Sequence, residues 1–146
     1  MRKMLVLLIA VMAVAFVSIG ASAAVPGEFT LSLGGGYPLT LGELELEYKN
    51  GPWAGGIHTT FVGTGMDIGL FGRYYVPLGK GFNFYAALNP SMAVLFAGGV
   101  RGIIKAGPGF DYRWKHLRVG IEGGIFYIFG ATTPMGYGKA SIGYIF

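Results

Sequence analysis

Three carboxylates at alternate positions, Glu43, Glu45 and Glu47, form the densest ionisable cluster in the chain. In a strand, residues i, i+2 and i+4 share one face, and carboxylates so placed can do acid and base work or bind a cation. The competing reading is ion pairing with basic residues on the same face. Beyond the first two dozen residues, the other groups with chemistry to offer are His58, His116, Ser32, Ser91 and Ser141. A serine hydrolase needs nucleophile, base and acid within mutual reach. The nearest local grouping, His58-Thr59-Thr60, lacks a serine, so His58 reads as a polar filler and His116 as a turn residue. Gly34-Gly35-Gly36 resembles a phosphate loop only superficially, because no helix follows it to supply a dipole and free amides. The absence of cysteine removes thiolate nucleophiles, thiolate metal ligands and disulfides. No catalytic set, cofactor site or metal site emerges from these residues.

The elements that must position the carboxylates have period two. In Glu43-Leu44-Glu45-Leu46-Glu47-Tyr48 the odd positions are acidic and the even ones apolar, as in a strand with unlike faces. Turn formers divide the rest into eight such segments, at about 28–37, 41–48, 53–61, 66–76, 82–96, 101–114, 117–129 and 137–146. Connections at 49–52, 77–81 and 115–116 belong to one end, and those at 38–40, 62–65, 97–100 and 130–136 to the other. All are short, so the simplest topology is a meander of antiparallel hairpins. Pro90 and Pro108 fall inside predicted strands, where each removes a ladder donor, and bulges near the rim are expected there.

A chain of 146 residues accommodates one domain. Hydrophobic residues make up 53% and charged residues 12%, the latter about half the globular norm. With 27 glycines, this composition excludes disorder and coiled coil. Residues 1–23 read as a cleaved signal peptide: basic Arg2 and Lys3, an apolar run from Met4 to Ile19, and the small-x-small Ala21-Ser22-Ala23. The apolar run is too short for a bilayer anchor. Export leaves a domain of residues 24–146. The signal removes two of eleven Lys and Arg and none of seven Asp and Glu, so the mature net charge is +2 rather than +4. No clustered basic face marks a nucleic-acid partner.

The assignment of faces decides the solvent. One parity class holds Leu44, Leu46, Tyr48, Met66, Ile68, Leu70, Tyr74, Val76, Leu117, Val119, Ile121, Ile125, Tyr127, Phe129, Ile142, Tyr144 and Phe146. The other holds Glu43, Glu45, Glu47, Asp67, Arg73, Lys105, Asp111, Arg113, Arg118, Glu122 and Lys139, with glycines, serines and threonines. Eleven charges on one parity, with the phase of five strands free to choose, correspond to a chance of roughly one in 64. The charged class is too ionic for the core of a soluble fold. In a membrane barrel the faces invert, and a charge on the lipid side costs about 2–4 kcal/mol at the midplane. The fold class expected is therefore all-β, an eight-stranded antiparallel up-and-down transmembrane barrel. Trp53, Tyr74, Trp114 and Tyr144 fall near one end, and Tyr127 and Phe129 near the other, as membrane-interface girdles require.

The last residues, Lys139-Ala140-Ser141-Ile142-Gly143-Tyr144-Ile145-Phe146, resemble the C-terminal strand signal of bacterial outer-membrane barrels, with spaced aromatics Tyr144 and Phe146. Ser141 departs from that pattern, which prefers glycine. With the signal peptide, the whole chain resembles small eight-stranded barrels such as the transmembrane domain of outer-membrane protein A. The resemblance implies the outer membrane of a diderm bacterium as location, and outer-membrane lipid and the barrel-assembly machinery as partners. It carries no specific activity.

Eight strands enclose an interior that side chains just fill. Six inward acids against five inward bases are nearly neutral, and buried charges need partners, so a closed salt-bridge network is expected. The resulting reading is a monomeric envelope barrel with a mostly packed polar lumen and a structural or interfacial role, not an enzyme and without a cofactor. A narrow pore for ions or small solutes and a lipid-modifying enzyme are the alternatives. The segment 91–102 is expected either to form the longest hairpin, with an apolar edge at Val94 and Phe96 that could meet a partner or lipid, or to dip back into the interface as a loop.

Overall fold

A computed structural model describes residues 27–38 and 40–146. The signal-peptide reading of residues 1–23 lies outside the described residues. Eight strands follow in chain order: β1 (Glu28–Tyr37), β2 (Thr40–Asn50), β3 (Trp53–Val62), β4 (Gly65–Gly79), β5 (Phe82–Leu95), β6 (Val100–Trp114), β7 (Leu117–Ile128) and β8 (Met135–Ile145). Each pairs antiparallel with the next, and β8 returns to β1 through pairs from Thr30↔Ile145 to Tyr37↔Gly138. The sheet is closed, so no strand edge is left unpaired, which is the condition for placing strands in hydrocarbon. Strands of 10 to 15 residues meet the roughly 9–11 that a tilted strand needs to cross a bilayer.

Alternation controls which way each side chain points. Along β2, Glu43, Glu45 and Glu47 are buried while the residues between them are partly exposed. On β4, Asp67, Phe71, Arg73 and Tyr75 are buried, whereas Ile68, Leu70, Tyr74 and Val76 are exposed. The same inversion holds for Arg118 and Glu122 against Val119 and Ile121 on β7. The molecule is therefore ionic inside and apolar outside. Met66 departs from its parity class: it shares the outer face yet is buried, flanked by its cross-strand partners Phe61 and Val94.

The bulges expected at Pro90 and Pro108 do not form. Register between β4 and β5 is the same on both sides of Pro90, at Gly69↔Ser91 and Gly72↔Leu88. It is likewise unchanged between β6 and β7 around Pro108, at Ala106↔Ile125 and Gly109↔Glu122. Each residue of an antiparallel strand aims its N–H at one neighbour only. Pro90 keeps its pairing with Ile104 and Pro108 with Ala86, and the ladder gaps fall on the opposite flanks, so each proline costs local pairing without an inserted residue. The register shifts sit instead near strand ends, at Gly34/Gly36, Thr40/Gly42 and Pro77/Gly79.

The β5–β6 hairpin closes through Leu95 N–H to Gly99 O (3.1 Å), and Phe96 N–H donates to Thr64 O (2.9 Å). Phe96 and Val100 are exposed on a tip tied to the neighbouring β3–β4 turn.

Where the β6–β7 ladder is interrupted, between Ala106↔Ile125 and Gly109↔Glu122, the two backbones approach closely. Gly107 and Gly124 face each other across β6 and β7, and a Cβ on Gly107 would sit 2.6 Å from Gly124 Cα. Backbone cannot yield as a flexible side-chain tip can. Gly107→Val is expected to destabilise the barrel by about 1–3 kcal/mol through overpacking. Gly72→Ala, on the outer face with open space around it, is expected to stay within about 0.5 kcal/mol. Urea unfolding in detergent micelles measures both; equal stability for the two variants would contradict the close approach.

Candidate functional site

The inward charges of five strands meet in the lumen. Arg73 of β4 is the centre. Its guanidinium reaches Glu47 at 2.7 Å, Glu45 at 2.8 Å and Glu122 at 3.1 Å, and its side chain is 1% exposed. The ring of Phe71 lies under the guanidinium at 4.3 Å and that of Tyr85 at 5.1 Å. The planar five-donor fork suits this arrangement, because it addresses several carboxylates and a ring face at once. Glu45 and Glu47 come from β2 and Glu122 from β7, so one cation ties three strands across the barrel.

Two further arginines extend the network toward the end where the short turns lie. Arg118 donates to Asp111 (2.9 Å) and to Ser32 Oγ (3.3 Å), with Glu45 at 3.6 Å. Arg113 reaches Glu47 (2.6 Å), Asp111 (3.1 Å) and Glu28 (3.0 Å). Tyr75 donates to Glu47 (3.0 Å), packs its ring 5.0 Å from that of Tyr85, and receives a bond from Arg113. Arg73, Arg118, Tyr75, Tyr85, Glu47, Thr30 and Ser32 are the most completely buried side chains, so the cross-section at this level is filled by protein. A buried charge without a partner costs several kcal/mol, and here each carboxylate meets at least one cation or hydrogen-bond donor.

Toward the opposite end the packing loosens. Lys139 bonds Glu43 at 2.6 Å and also Glu45, while Thr60 donates to Glu43 (3.1 Å). Lys105 bonds Asp67 at 2.6 Å, and Glu122 also accepts from Asn89 (3.1 Å) and Tyr137 (3.0 Å). Above these groups a cavity of about 110 Å³ is lined by Glu43, Thr60, Asp67, Lys105, Tyr137 and Lys139, with Tyr37 and Pro38 at its mouth. His58 sits beneath it, 3.8 Å from Asp67. His58 Nε2, Asp67 Oδ1, Asn89 Oδ1 and Ser91 Oγ are buried without a hydrogen-bond partner, a polar lining that accommodates water.

All eleven charges singled out in the sequence thus line one interior, and Glu43, Glu45 and Glu47 turn their oxygens to arginine, lysine and hydroxyl donors. Ser32 and Ser91 are buried on the inner wall. Sequence reasoning passed over Phe71, Tyr75, Tyr85, Tyr137 and Asn89, which complete the lumen, and Glu28, which closes its rim on Arg113. Parity carries the signal for most of them: Phe71 and Tyr75 share the phase of Asp67 and Arg73. On the outer face Trp53 and Tyr74 stack edge-on at 4.8 Å, Tyr144 and Phe146 at 5.1 Å, and Tyr127 and Phe129 at 5.9 Å. Trp114 is exposed beside the β6–β7 turn.

Arg73 yields a direct test. Arg73→Ala leaves Glu45, Glu47 and Glu122 without their shared cation, and is expected to cost about 3–5 kcal/mol. Arg73→Lys keeps the charge but loses the fork and should recover only part. The shift of the urea midpoint in micelles measures both. A loss below about 1 kcal/mol for Arg73→Ala, the scale of an exposed pair, would refute a central role.

No family model matches the chain, and no curated protein matches it. Solved structures do. The de novo designed barrel TMB2.3, determined by solution NMR, superposes with a TM-score of 0.55 at 14% identity, covering 84% of this chain and 96% of that one. The crystal structure of Neisserial surface protein A gives a TM-score of 0.52 at 11% identity, covering 82% and 95%. At such identities the likeness is one of fold. Closed by eight antiparallel strands, ionic within and apolar without, the chain has the fold of a small outer-membrane-type β-barrel.

Proposed function

We propose that this protein is a monomeric barrel of the bacterial outer membrane with a structural or interfacial role, neither conducting nor catalytic. The observation that carries this reading is the Arg73-centred network, which spans the lumen from β2 to β7 and fills it with paired charges. A protein that spends its interior on mutual ion pairing has committed those groups to each other. Short connections leave little loop surface for an elaborate binding site. The C-terminal Tyr144 and Phe146, both exposed on β8 or just beyond it, support recognition by the barrel-assembly machinery during insertion. The likeness to Neisserial surface protein A supports the envelope location.

A narrow pore is the second reading, favoured by the 110 Å³ cavity and the unpartnered polar atoms beneath it. They form a polar vestibule at one end, whose lining does not extend to Arg73. For a lipid-modifying enzyme, Ser91, His58 and Asp67 lie on neighbouring strands, but on the inner wall, away from lipid.

Planar-bilayer recording separates the readings: the wild-type barrel is expected to give no discrete conductance steps, and steps would establish the pore. Lipids incubated with the refolded barrel are expected to keep their masses; a new acyl or headgroup species would establish the enzyme. The membrane location itself is read by Ile121→Arg, at an exposed outward position midway along β7. In a bilayer this change should cost about 2–4 kcal/mol. A cost under about 0.5 kcal/mol, as on a water-facing surface, would overturn the membrane assignment.

A further inference from the structure

The lumen network changes how the protein's charge is distributed. Outside residues 1–23 the chain carries seven acids and nine bases. Six acids, Glu43, Glu45, Glu47, Asp67, Asp111 and Glu122, are buried within the barrel, and the seventh, Glu28, is held by Arg113. Five of the bases, Arg73, Lys105, Arg113, Arg118 and Lys139, are spent on these acids. What remains is Lys80, Arg101, Lys115 and Lys49, the last with its ammonium 5.4 Å from the ring of Tyr75. A net charge of +2 therefore resolves into −2 over the ion-paired side chains and +4 over cations that none of their carboxylates engages. Three of these four cations lie at the end carrying the short turns, and Arg101 lies at the other.

The short-turn rim is built around these lysines. Lys80 and Lys115 both adopt φ of 52°, a left-handed conformation that glycine and asparagine take more readily. The two turns are neighbours on the rim, two strand spacings of about 4.8 Å apart. Arg113 N–H donates to Gly81 O at 2.8 Å, which folds the Lys80 turn onto the end of β6. Lys115 holds its ammonium 5.3 Å from the Trp114 ring. Trp114 and Phe82 are exposed just inside the rim, and Phe82 packs 4.6 Å from Tyr112. An aromatic belt at the headgroup level places the adjacent ammonium groups among lipid phosphates, with the lysine stems reaching outward along apolar surface.

We propose that this rim binds the phosphate headgroups of anionic phospholipids, with Lys80 and Lys115 as the phosphate ligands and Trp114 and Phe82 packing against the acyl chains beside them. Among the described residues every Asp and Glu side chain already has a cationic partner: six are buried in the network and Glu28 is held by Arg113. The partner is a lipid in the leaflet that this rim faces. The proposal rests on the reading that the outer face meets lipid.

The full barrel, reconstituted into vesicles of phosphatidylcholine alone or with phosphatidylglycerol, first reports insertion by flotation. Native mass spectrometry of the extracted protein then compares retention of the two lipids at equal mole fraction. Phosphatidylglycerol should be retained about fivefold or more over phosphatidylcholine, since each lysine contributes separately near an anionic surface, and rising salt should erode the preference. The double variant Lys80→Gly, Lys115→Gly relieves the left-handed backbone, so it should fold and insert as well as wild type while its preference falls toward unity. Lys80→Arg with Lys115→Arg should keep the preference, as should Arg101→Gly on the opposite rim. Equal retention of the two lipids by wild type, or an undiminished preference in the glycine double variant, overturns the proposal. Failure to float with either vesicle overturns it together with the membrane reading, whereas insertion without preference overturns it alone.

Discussion

Arg73, enclosed by Glu45, Glu47 and Glu122, is the contact on which the architecture turns. A closed eight-stranded sheet leaves an interior that side chains must fill. The outer face of this barrel is apolar, so period-two alternation assigns the polar residues to that interior. Charges removed from water are costly unless each finds a partner. The sheet therefore closes only if its inward ions can neutralise one another across the lumen. Arginine is suited to the centre because its fork serves three carboxylates from two strands while its faces rest on Phe71 and Tyr85. A lysine there would present one point charge to the same cluster.

The two ends of the lumen differ in how fully this demand is met. Toward the short turns, Arg113, Arg118, Asp111, Tyr75 and Tyr85 interlock, and aromatic rings occupy what ions leave over. Toward the other end, Lys105 holds Asp67 and Lys139 gathers Glu43 and Glu45 beside an open cavity, and several polar atoms lack a hydrogen-bond partner. This asymmetry follows from shape: arginine spreads five donors over a planar fork and tyrosine fills space with its ring, whereas lysine concentrates its three donors at one point and threonine and serine carry one hydroxyl each. The plug and the vestibule are consequences of which polar residues each end contains.

The outer face follows the opposite rule. Its mid-strand positions carry Leu70, Ile121, Ile125 and Ile142, and its ends carry paired rings such as Trp53 with Tyr74. Tyrosine occurs on both faces and does different work on each. Tyr75 and Tyr137 point inward and donate to Glu47 and Glu122, while Tyr74 and Tyr144 face outward among other aromatics. The distinction is one residue of phase, since Tyr74 and Tyr75 are adjacent in the chain.

The alternation of Glu43 through Tyr48, repeated over eight segments, was enough to indicate the strand count, the closed meander and the sign of each face, because a two-residue period needs no knowledge of neighbours. Strand limits followed from turn residues such as Asn50-Gly51-Pro52 to within a few positions. The bulges expected at Pro90 and Pro108 were misread, since only pairing in three dimensions shows on which flank a missing donor falls. Tertiary structure alone decided that Arg73 rather than Arg118 takes the centre, that Glu28 joins from the rim, and that Phe71, Tyr75 and Tyr85 complete the plug. Parity determines which way a side chain points, but partners 26 to 49 residues apart meet only when register and closure set their heights along the barrel.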